Sequence, residues 1–493
     1  MITISGENLT IADVEAVADG APVQVDPAAW PGVEASRAIV EGLVERGEVA
    51  YGITTGFGEF AHVSINRDQV EELQRNLIMS HSVGVGELLP KRVVRAMMLI
   101  RANTLLKGVS GIRRVVIERL VTFLNDDVVP DVPSRGSVGA SGDLAPLAHM
   151  ALPLIGLGTA NGVPAEELPY EPLALQAKEG LALINGTQLM SAIGSLCVQQ
   201  ALGLLEDSQI VAAMSLEALM GSLAPFDPRV HALRPHPGQT AVAAAIRAHT
   251  EGSEIMQSHV GCDRVQDAYS LRCIPQVLGA VHDVLQQARS TLEVEINSAT
   301  DNPLVFPNGD IISQGNFHGE PIAFLLDQVA IALSELANIS ERRAERMVNP
   351  DLSEGLKPFL VDKGGLNSGF MIAQYVAAAL VSENKVYAHP ASVDSIPTSA
   401  GQEDHVSMGS IGALKLGQVL ENCRNVVAIE ALCAAQALDF KAPLRPGKGT
   451  AAAHAAIRTC VSKLDEDRIL SNDVKSMHDF LEAGRLRAAL APV

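Results

Sequence analysis

Apolar side chains recur at Ile322, Leu325, Leu326, Val329, Leu333, Leu336 and Ile339, in steps of three and four that lay one stripe along a helix. Pro321 suits the first turn of that helix, where a missing N–H costs nothing, and Glu341, Arg342 and Arg343 mark a polar end. Comparable runs cover roughly 190–222, 273–297, 366–390 and 409–438, with short interruptions. Residues 1–190 read differently. Short alternating pieces open the chain (Ile2, Ile4, then Leu9, Ile11), and the helix-like stretches that follow are broken by glycine clusters at 52–58, 84–86 and 136–142. The pattern predicts a mainly all-α fold. A mixed N-terminal lobe over 1–190 precedes a bundle of long helices over 191–440. A helical tail over 441–493 follows, entered through the loop Arg445-Pro446-Gly447-Lys448-Gly449. Helices apolar over so much of their circumference are expected to pack against another subunit as well as their own fold.

Composition narrows this picture. The chain has 493 residues with 37 basic and 57 acidic side chains, a formal charge of −20. That balance excludes nucleic acid or an anionic membrane as the main partner, since both need a positive surface. Apolar residues make up 47% and aromatics only 3%, so the core must be aliphatic, which favours helices. Six cysteines, at 197, 262, 273, 423, 433 and 460, include no Cys-x-x-Cys pair, and reduced thiols are expected. No signal peptide is visible at the start, and the apolar stretches 144–157 and 372–381 fall short of the ~20 residues of a membrane span. A cytoplasmic protein is the expectation.

The most unusual run is Gly136-Ser137-Val138-Gly139-Ala140-Ser141-Gly142-Asp143. A hydrolase elbow of the form Gly-x-Ser-x-Gly fails at its last position, because 143 is Asp. Backbone chemistry offers another reading. Glycines allow conformations that side chains forbid. If the nitrogen of Gly142 reaches the carbonyl carbon of Ala140, a five-membered ring closes and loses water. If Ser141 then loses its hydroxyl as a second water, its Cβ becomes an exocyclic methylene. The product, a methylidene-imidazolone, is a strong electrophile made without any added cofactor.

The segment 136–149 resembles the prosthetic-group segment of the aromatic amino acid ammonia-lyases, and within them the branch acting on histidine. The resemblance spans most of the chain. It recurs in Tyr51-Gly-Ile-Thr-Thr-Gly-Phe-Gly, Ser80-His81, Lys107-Gly-Val-Ser-Gly, Asn185-Gly-Thr-Gln and Gln266-Asp-Ala-Tyr269-Ser-Leu-Arg272. It continues in Thr300-Asp-Asn-Pro-Leu, Gly315-Asn-Phe317-His-Gly-Glu-Pro, Ser340-Glu-Arg-Arg and Gln402-Glu403-Asp-His-Val-Ser-Met. It implies a fumarase/aspartase-like helical architecture and a homotetramer whose sites combine several subunits. The implied activity is elimination of ammonia from L-histidine to give trans-urocanate, with a methylidene-imidazolone (MIO) formed from Ala140, Ser141 and Gly142.

The same resemblance implies roles. Tyr51 and Tyr269 are the candidate bases or proton donors beside the electrophile. Arg272 would hold the substrate carboxylate through paired donors, a geometry that suits guanidinium. Asn185 and Gln266 would support the prosthetic group and substrate, and Phe317 would form an apolar wall. His81 and Glu403 would lie by the substrate imidazole. A carboxylate can pair with a ring N–H, whereas phenylalanine offers it nothing and an unpaired buried carboxylate is costly. Phenylalanine and tyrosine lyases usually carry an amide where Glu403 stands. Gln188 also looks like the histidine branch. Thr54 and Gly401 depart from it, standing where those enzymes often have Asn. Tyrosine or phenylalanine lyases and 2,3-aminomutases of the same family remain the alternative, and a non-catalytic helical scaffold is a further one.

Other motifs carry less. Gly56-Phe-Gly58-Glu-Phe-Ala61 lacks the strand–helix context of a dinucleotide fold. His318-Gly-Glu320 and Glu403-Asp-His405 lack recognised metal-ligand spacing, and no catalytic metal is expected. No nucleotide-phosphate loop is present.

Overall fold

The computed structural model describes residues 1–50, 52–56 and 69–490. Helices Gln188–Ala218, Ile274–Glu295, Glu320–Val348, Met371–Tyr387 and Gly409–Asp439 lie at the places the apolar periodicity predicts. All seven stripe residues from Ile322 to Ile339 are buried. Solvent reaches the opposite stripe of Phe324, Gln328, Ile331 and Glu335. In Gln188–Ala218 the only exposed residue is Glu206, which is why its sequence shows almost no polar face.

The Glu320–Val348 helix does not end at the charged triplet 341–343 but runs past it. Arg343 is fully buried and its guanidinium pairs with Glu430, Nε to Oε1 at 2.5 Å and Nη2 to Oε2 at 2.8 Å. Ser215 and Ser340 donate to the same carboxylate at 2.7 and 2.5 Å. Charged residues there mark a buried polar knot joining three long helices, and not a terminus; of its groups, Arg343 Nη1 has no partner among the described residues. Two of these helices also correct the expectation that no segment is apolar enough to cross a membrane. By length and hydropathy Gln188–Ala218 and Glu320–Val348 both are. However, 78% and 67% of their most apolar windows are buried inside the protein, the position of core helices.

The chain groups into two compact units, each drawn from three separate stretches. The first comprises Met1–Gln199, Ala288–Asp327 and Pro390–Leu414. It holds all the described strand pairs: Ile2–Ile4 parallel to Val23–Val25, and three short antiparallel pairs. The Lys91–Leu105 helix packs against Ile11–Ala18 and Arg114–Asn125 and is buried from Val94 onward. Three further helices, Val70–His81, Leu144–Ala151 and Glu179–Ile184, pack pairwise on one another.

The second unit comprises Gln200–Gln287, Gln328–His389 and Lys415–Val493, and contains the Glu430 knot. Its Met371–Tyr387 helix exposes Ile372, Tyr375 and Val376 along one face. The shorter helices Pro237–His249, Lys448–Cys460 and Leu470–Glu482 pack in series.

Replacing Glu430 would strand the Arg343 guanidinium and two hydroxyls in a dry interior. Glu430→Ala is expected to cost about 3–5 kcal/mol, the usual penalty for breaking a buried pair. Urea unfolding monitored by circular dichroism measures it, and an unchanged midpoint would contradict the assigned role.

Candidate active site

The three mutually packed helices of the first unit present their ends to one place. Leu144–Ala151 starts directly after the Ala140-Ser141-Gly142 tripeptide, with Asp143 at its N-cap position. Glu179–Ile184 ends at Asn185, and Val70–His81 ends at His81. Helix packing therefore fixes these residues before any of their own contacts is counted.

The tripeptide is held in an unusual conformation. Gly139, Ser141 and Gly142 have φ of 74°, 49° and 77°. A serine there is strained by roughly 1–3 kcal/mol, and persists only where its surroundings over-determine it. They do. Gly142 forms an isolated parallel bridge with Gly186, and Asp143 N–H donates to Gly186 O at 2.7 Å. A Cβ on Gly142 would fall inside the contact distance of the Gly186 backbone oxygen, carbon and nitrogen. Upstream, Met408 N–H donates to Val138 O at 2.9 Å and Ser407 Oγ to Gly139 O at 3.3 Å. Ala140 packs on Val406 and Met408. Among the described residues the Gly142 N–H has no acceptor, so its nitrogen is uncommitted.

Asp143 is fully buried and anchors the segment from below. Its Oδ1 accepts from Ser137 and Ser410 at 2.9 and 2.5 Å. Its Oδ2 accepts from the N–H groups of Leu189 and Met190 at 2.9 and 3.1 Å. Those belong to the first turn of Gln188–Ala218, so Asp143 caps a second helix from outside. Burial pushes its carboxyl pKa up, against the pull of these four donors.

Asn185 faces the tripeptide. Its Nδ2 donates to Ser141 O at 2.7 Å, while its Oδ1 is buried with no donor among the described residues. Its own carbonyl accepts from Arg101 Nη2 at 2.7 Å, and the same nitrogen reaches Gln188 Oε1 at 2.5 Å. Gln188 Nε2 in turn donates to Thr104 and Thr300. Arg101 is fully buried, and desolvation lowers its pKa to about 10, opposed by the charges of Asp301 and Asp143. Asp301 itself is taken up by Lys178 at 2.7 Å, both side chains without solvent exposure.

Glu403 completes the cluster from the far end of the sequence. Ser141 Oγ donates to Glu403 Oε1 at 2.6 Å. Thr398 and Ser399 hydroxyls donate to Oε2 at 2.6 and 3.2 Å. Thr398 and Glu403 also bridge through their backbones, closing a turn in which Ser399, Ala400 and Gly401 all have positive φ. Glycine and asparagine are the residues that tolerate this region, which explains how Gly401 can stand for Asn. His81 is close enough to feel the Glu403 charge, which raises its pKa, but burial dominates and the net shift is downward. Its Nδ1 lies 2.9 Å from Leu77 O, an acceptor, so Nδ1 carries the proton and Nε2 is left as an acceptor.

Ala140, Ser141, Gly142, Asn185, His81 and Glu403 are thus brought together. Phe317 is half-buried in the same unit, on the loop before Glu320–Val348. Gln266, Tyr269 and Arg272 belong to the second unit. Tyr269 is 70% exposed with the Arg272 guanidinium 4.5 Å from its ring centre, and Arg272 Nε is buried without a described partner. Tyr51 lies outside the described residues. His318, Glu320 and His405, dismissed on spacing, do gather within 4.8 Å. However, His318 approaches His405 through Nε2 (3.3 Å) and Glu320 through Nδ1 (3.8 Å), opposite edges of one ring. Asp143, Arg101 and Thr398 were not singled out from sequence. The available signal was polar residues inside otherwise apolar helical runs, as at Arg101.

The Gly186 backbone leaves no room for a methyl group on Gly142. Gly142→Ala is expected to lower stability by at least about 2 kcal/mol, from left-handed strain plus the clash. Chemical denaturation of the purified variant checks this, and a wild-type midpoint would show that the segment can be rebuilt.

The geometry agrees with the comparisons. Residues 9–459 match the family described as aromatic amino acid lyase. A relative from Gloeobacter violaceus named histidine ammonia-lyase is 53% identical over 500 residues, covering 99% of this chain and 97% of its own. The crystal structure of histidine ammonia-lyase from Trypanosoma cruzi superposes with a TM-score of 0.92 at 43% identity, covering 100% of this chain and 95% of that one. Tyrosine aminomutase from Streptomyces globisporus gives 0.94 at 41%, covering 99% and 98%. Matched along nearly its whole length, the chain belongs to the aromatic amino acid lyase family.

Proposed function

We propose that the protein is a histidine ammonia-lyase, a carbon–nitrogen lyase that converts L-histidine to trans-urocanate and ammonium. The observation that carries this reading is Glu403: a carboxylate, not an amide, stands 2.6 Å from the side chain of the reactive tripeptide. It offers an acceptor to an imidazole N–H, and neutral His81, with Nε2 as acceptor, stands nearby. A phenyl ring would offer Oε1 no donor, leaving that oxygen with nothing from the substrate.

Eliminating ammonia has two obstacles: an amine leaves poorly, and the β-hydrogen is barely acidic. Ala140, Ser141 and Gly142 fit a methylidene-imidazolone, since position 142 admits no Cβ, position 140 is small and packed, and the backbone is already turned into positive φ. Once formed, that group supplies the electron withdrawal that loosens the amine. The rest falls to ordinary side chains. Asn185 holds the carbonyl of residue 141 through Nδ2. Tyr51 or Tyr269 takes the β-proton at its phenol oxygen, and positioning such a base is typically worth ~10²–10⁴-fold. Arg272 binds the substrate carboxylate, Gln266 supports it, and Phe317 walls the ring side.

A homotetramer accounts for the remaining surface. Tyr269 and Gln266 are exposed, Arg272 Nε has no described partner, and Ile372, Tyr375, Val376, Phe324 and Ile331 are apolar and open to solvent. We read them as covered by neighbouring copies, which also complete each site. The six cysteines, none in a disulfide among the described residues, suit a reducing, cytoplasmic setting.

Incubation with histidine should give the rising near-ultraviolet absorbance of urocanate; turnover of tyrosine or phenylalanine alone would reassign the substrate to a sister lyase or aminomutase. Intact mass should lie two waters below the encoded sequence, whereas an unmodified mass without turnover favours a scaffold. Ser141→Ala should lose nearly all activity while remaining folded. Mixing unfolded Ser141→Ala and Tyr269→Phe chains and refolding them together should restore turnover that neither shows alone; no restoration would place each site within one chain.

A further inference from the structure

We propose that Glu403 has a second task, acting on the protein's own chain: it delivers the proton with which the Ser141 hydroxyl leaves during formation of the electrophile. This rests on the proposed function, in which that electrophile is made from residues 140–142. The described contact is the linear peptide's own. Ser141 Oγ lies 2.6 Å from Glu403 Oε1, the one side-chain group bonded to it among the described residues. A hydroxyl is a poor leaving group, and a carboxylic acid at hydrogen-bond distance is the standard remedy.

The rest of the site holds Glu403 to this geometry. Oε2 takes the hydroxyls of Thr398 and Ser399, so the carboxyl cannot swing away from Ser141 without giving up both. The Thr398–Glu403 backbone bridge fixes the segment that carries it. Asp143, the other acid beside the tripeptide, is committed to four donors, Ser137, Ser410, Leu189 N and Met190 N, none of which belongs to Ser141.

The step balances. After ring closure has released the first water, the Glu403 carboxylate takes one proton from solvent and passes it to Oγ, and the Cβ–Oγ bond of residue 141 breaks as Oγ departs as water. The electrons of the Cα–H bond become the Cα=Cβ bond. The Cα proton passes to solvent, replacing the one the carboxylate drew, and Glu403 ends as a carboxylate again. Nothing is oxidised or reduced, and the net loss is one water. Glu403 is then freed of its serine partner, and Oε1 becomes available to a substrate ring N–H. The same oxygen serves maturation first and recognition afterwards.

The test follows intact mass of newly synthesised full-length chains over time, a readout independent of turnover. Glu403→Gln keeps the shape and a hydrogen bond to Oγ but cannot supply a carboxylic proton. It is expected to accumulate a species one water below the encoded mass and to lose the second water on the order of 10²-fold more slowly than wild type. Loss of both waters at the wild-type rate overturns the proposal. So does retention of the full encoded mass, which would place Glu403 at ring closure instead. Should Glu403→Gln aggregate, Thr398→Val keeps the acid but loosens it. That variant should slow the second loss several-fold, and an unchanged rate again overturns the proposal. Wild-type chains that never lose water would instead refute the electrophile itself.

Discussion

Two backbones that touch without side chains between them organise this protein. Gly142 lies on Gly186 so closely that it cannot carry a Cβ, and the Arg101, Gln188 and Thr300 side chains leave Gly186 no room for one either. That contact sets the tripeptide against the end of one helix and the start of another. Asp143 then caps the Gln188–Ala218 helix from outside, Asn185 reaches back to the Ser141 carbonyl, and Arg101 holds the Asn185 carbonyl from beneath. A buried charge is expensive alone. Here Asp143 is met by four donors and Lys178 and Asp301 meet each other, while Arg101 Nε and Nη1 and Asn185 Oδ1 have no partner among the described residues.

Much of this was legible in the sequence, and the reason is periodicity. The long helices are buried on most sides, so their apolar spacing survives in the residues themselves, as from Ile322 to Ile339. The polar end read at Glu341, Arg342 and Arg343 failed for a definite cause. Spacing cannot tell a charge facing solvent from one paired in the core, and Arg343 meets Glu430, 87 residues away. The membrane argument failed likewise, because composition does not show what covers a helix.

For the site, local chemistry was readable and tertiary support was not. The proposed cyclisation was read from Ala140, Ser141 and Gly142, because it needs each of them for its own reason. Glu403 was found through resemblance. Its seat on Thr398 and Ser399 depends on a turn through three positive-φ residues, two of them not glycine. Arg101 escaped notice because one basic residue in an apolar run reads as a surface position until its partners are known.

The first unit has a temporal consequence through its discontinuity. Its last stretch, Pro390–Leu414, supplies Glu403, Ser407 and Ser410, which grip residues 137–143, and Thr398, which holds Glu403. On the ribosome, the tripeptide emerges long before these partners exist. The contacts that hold it in place can therefore form only after residue 410 has cleared the exit tunnel, so the order of translation makes this the last part of the first unit to be completed.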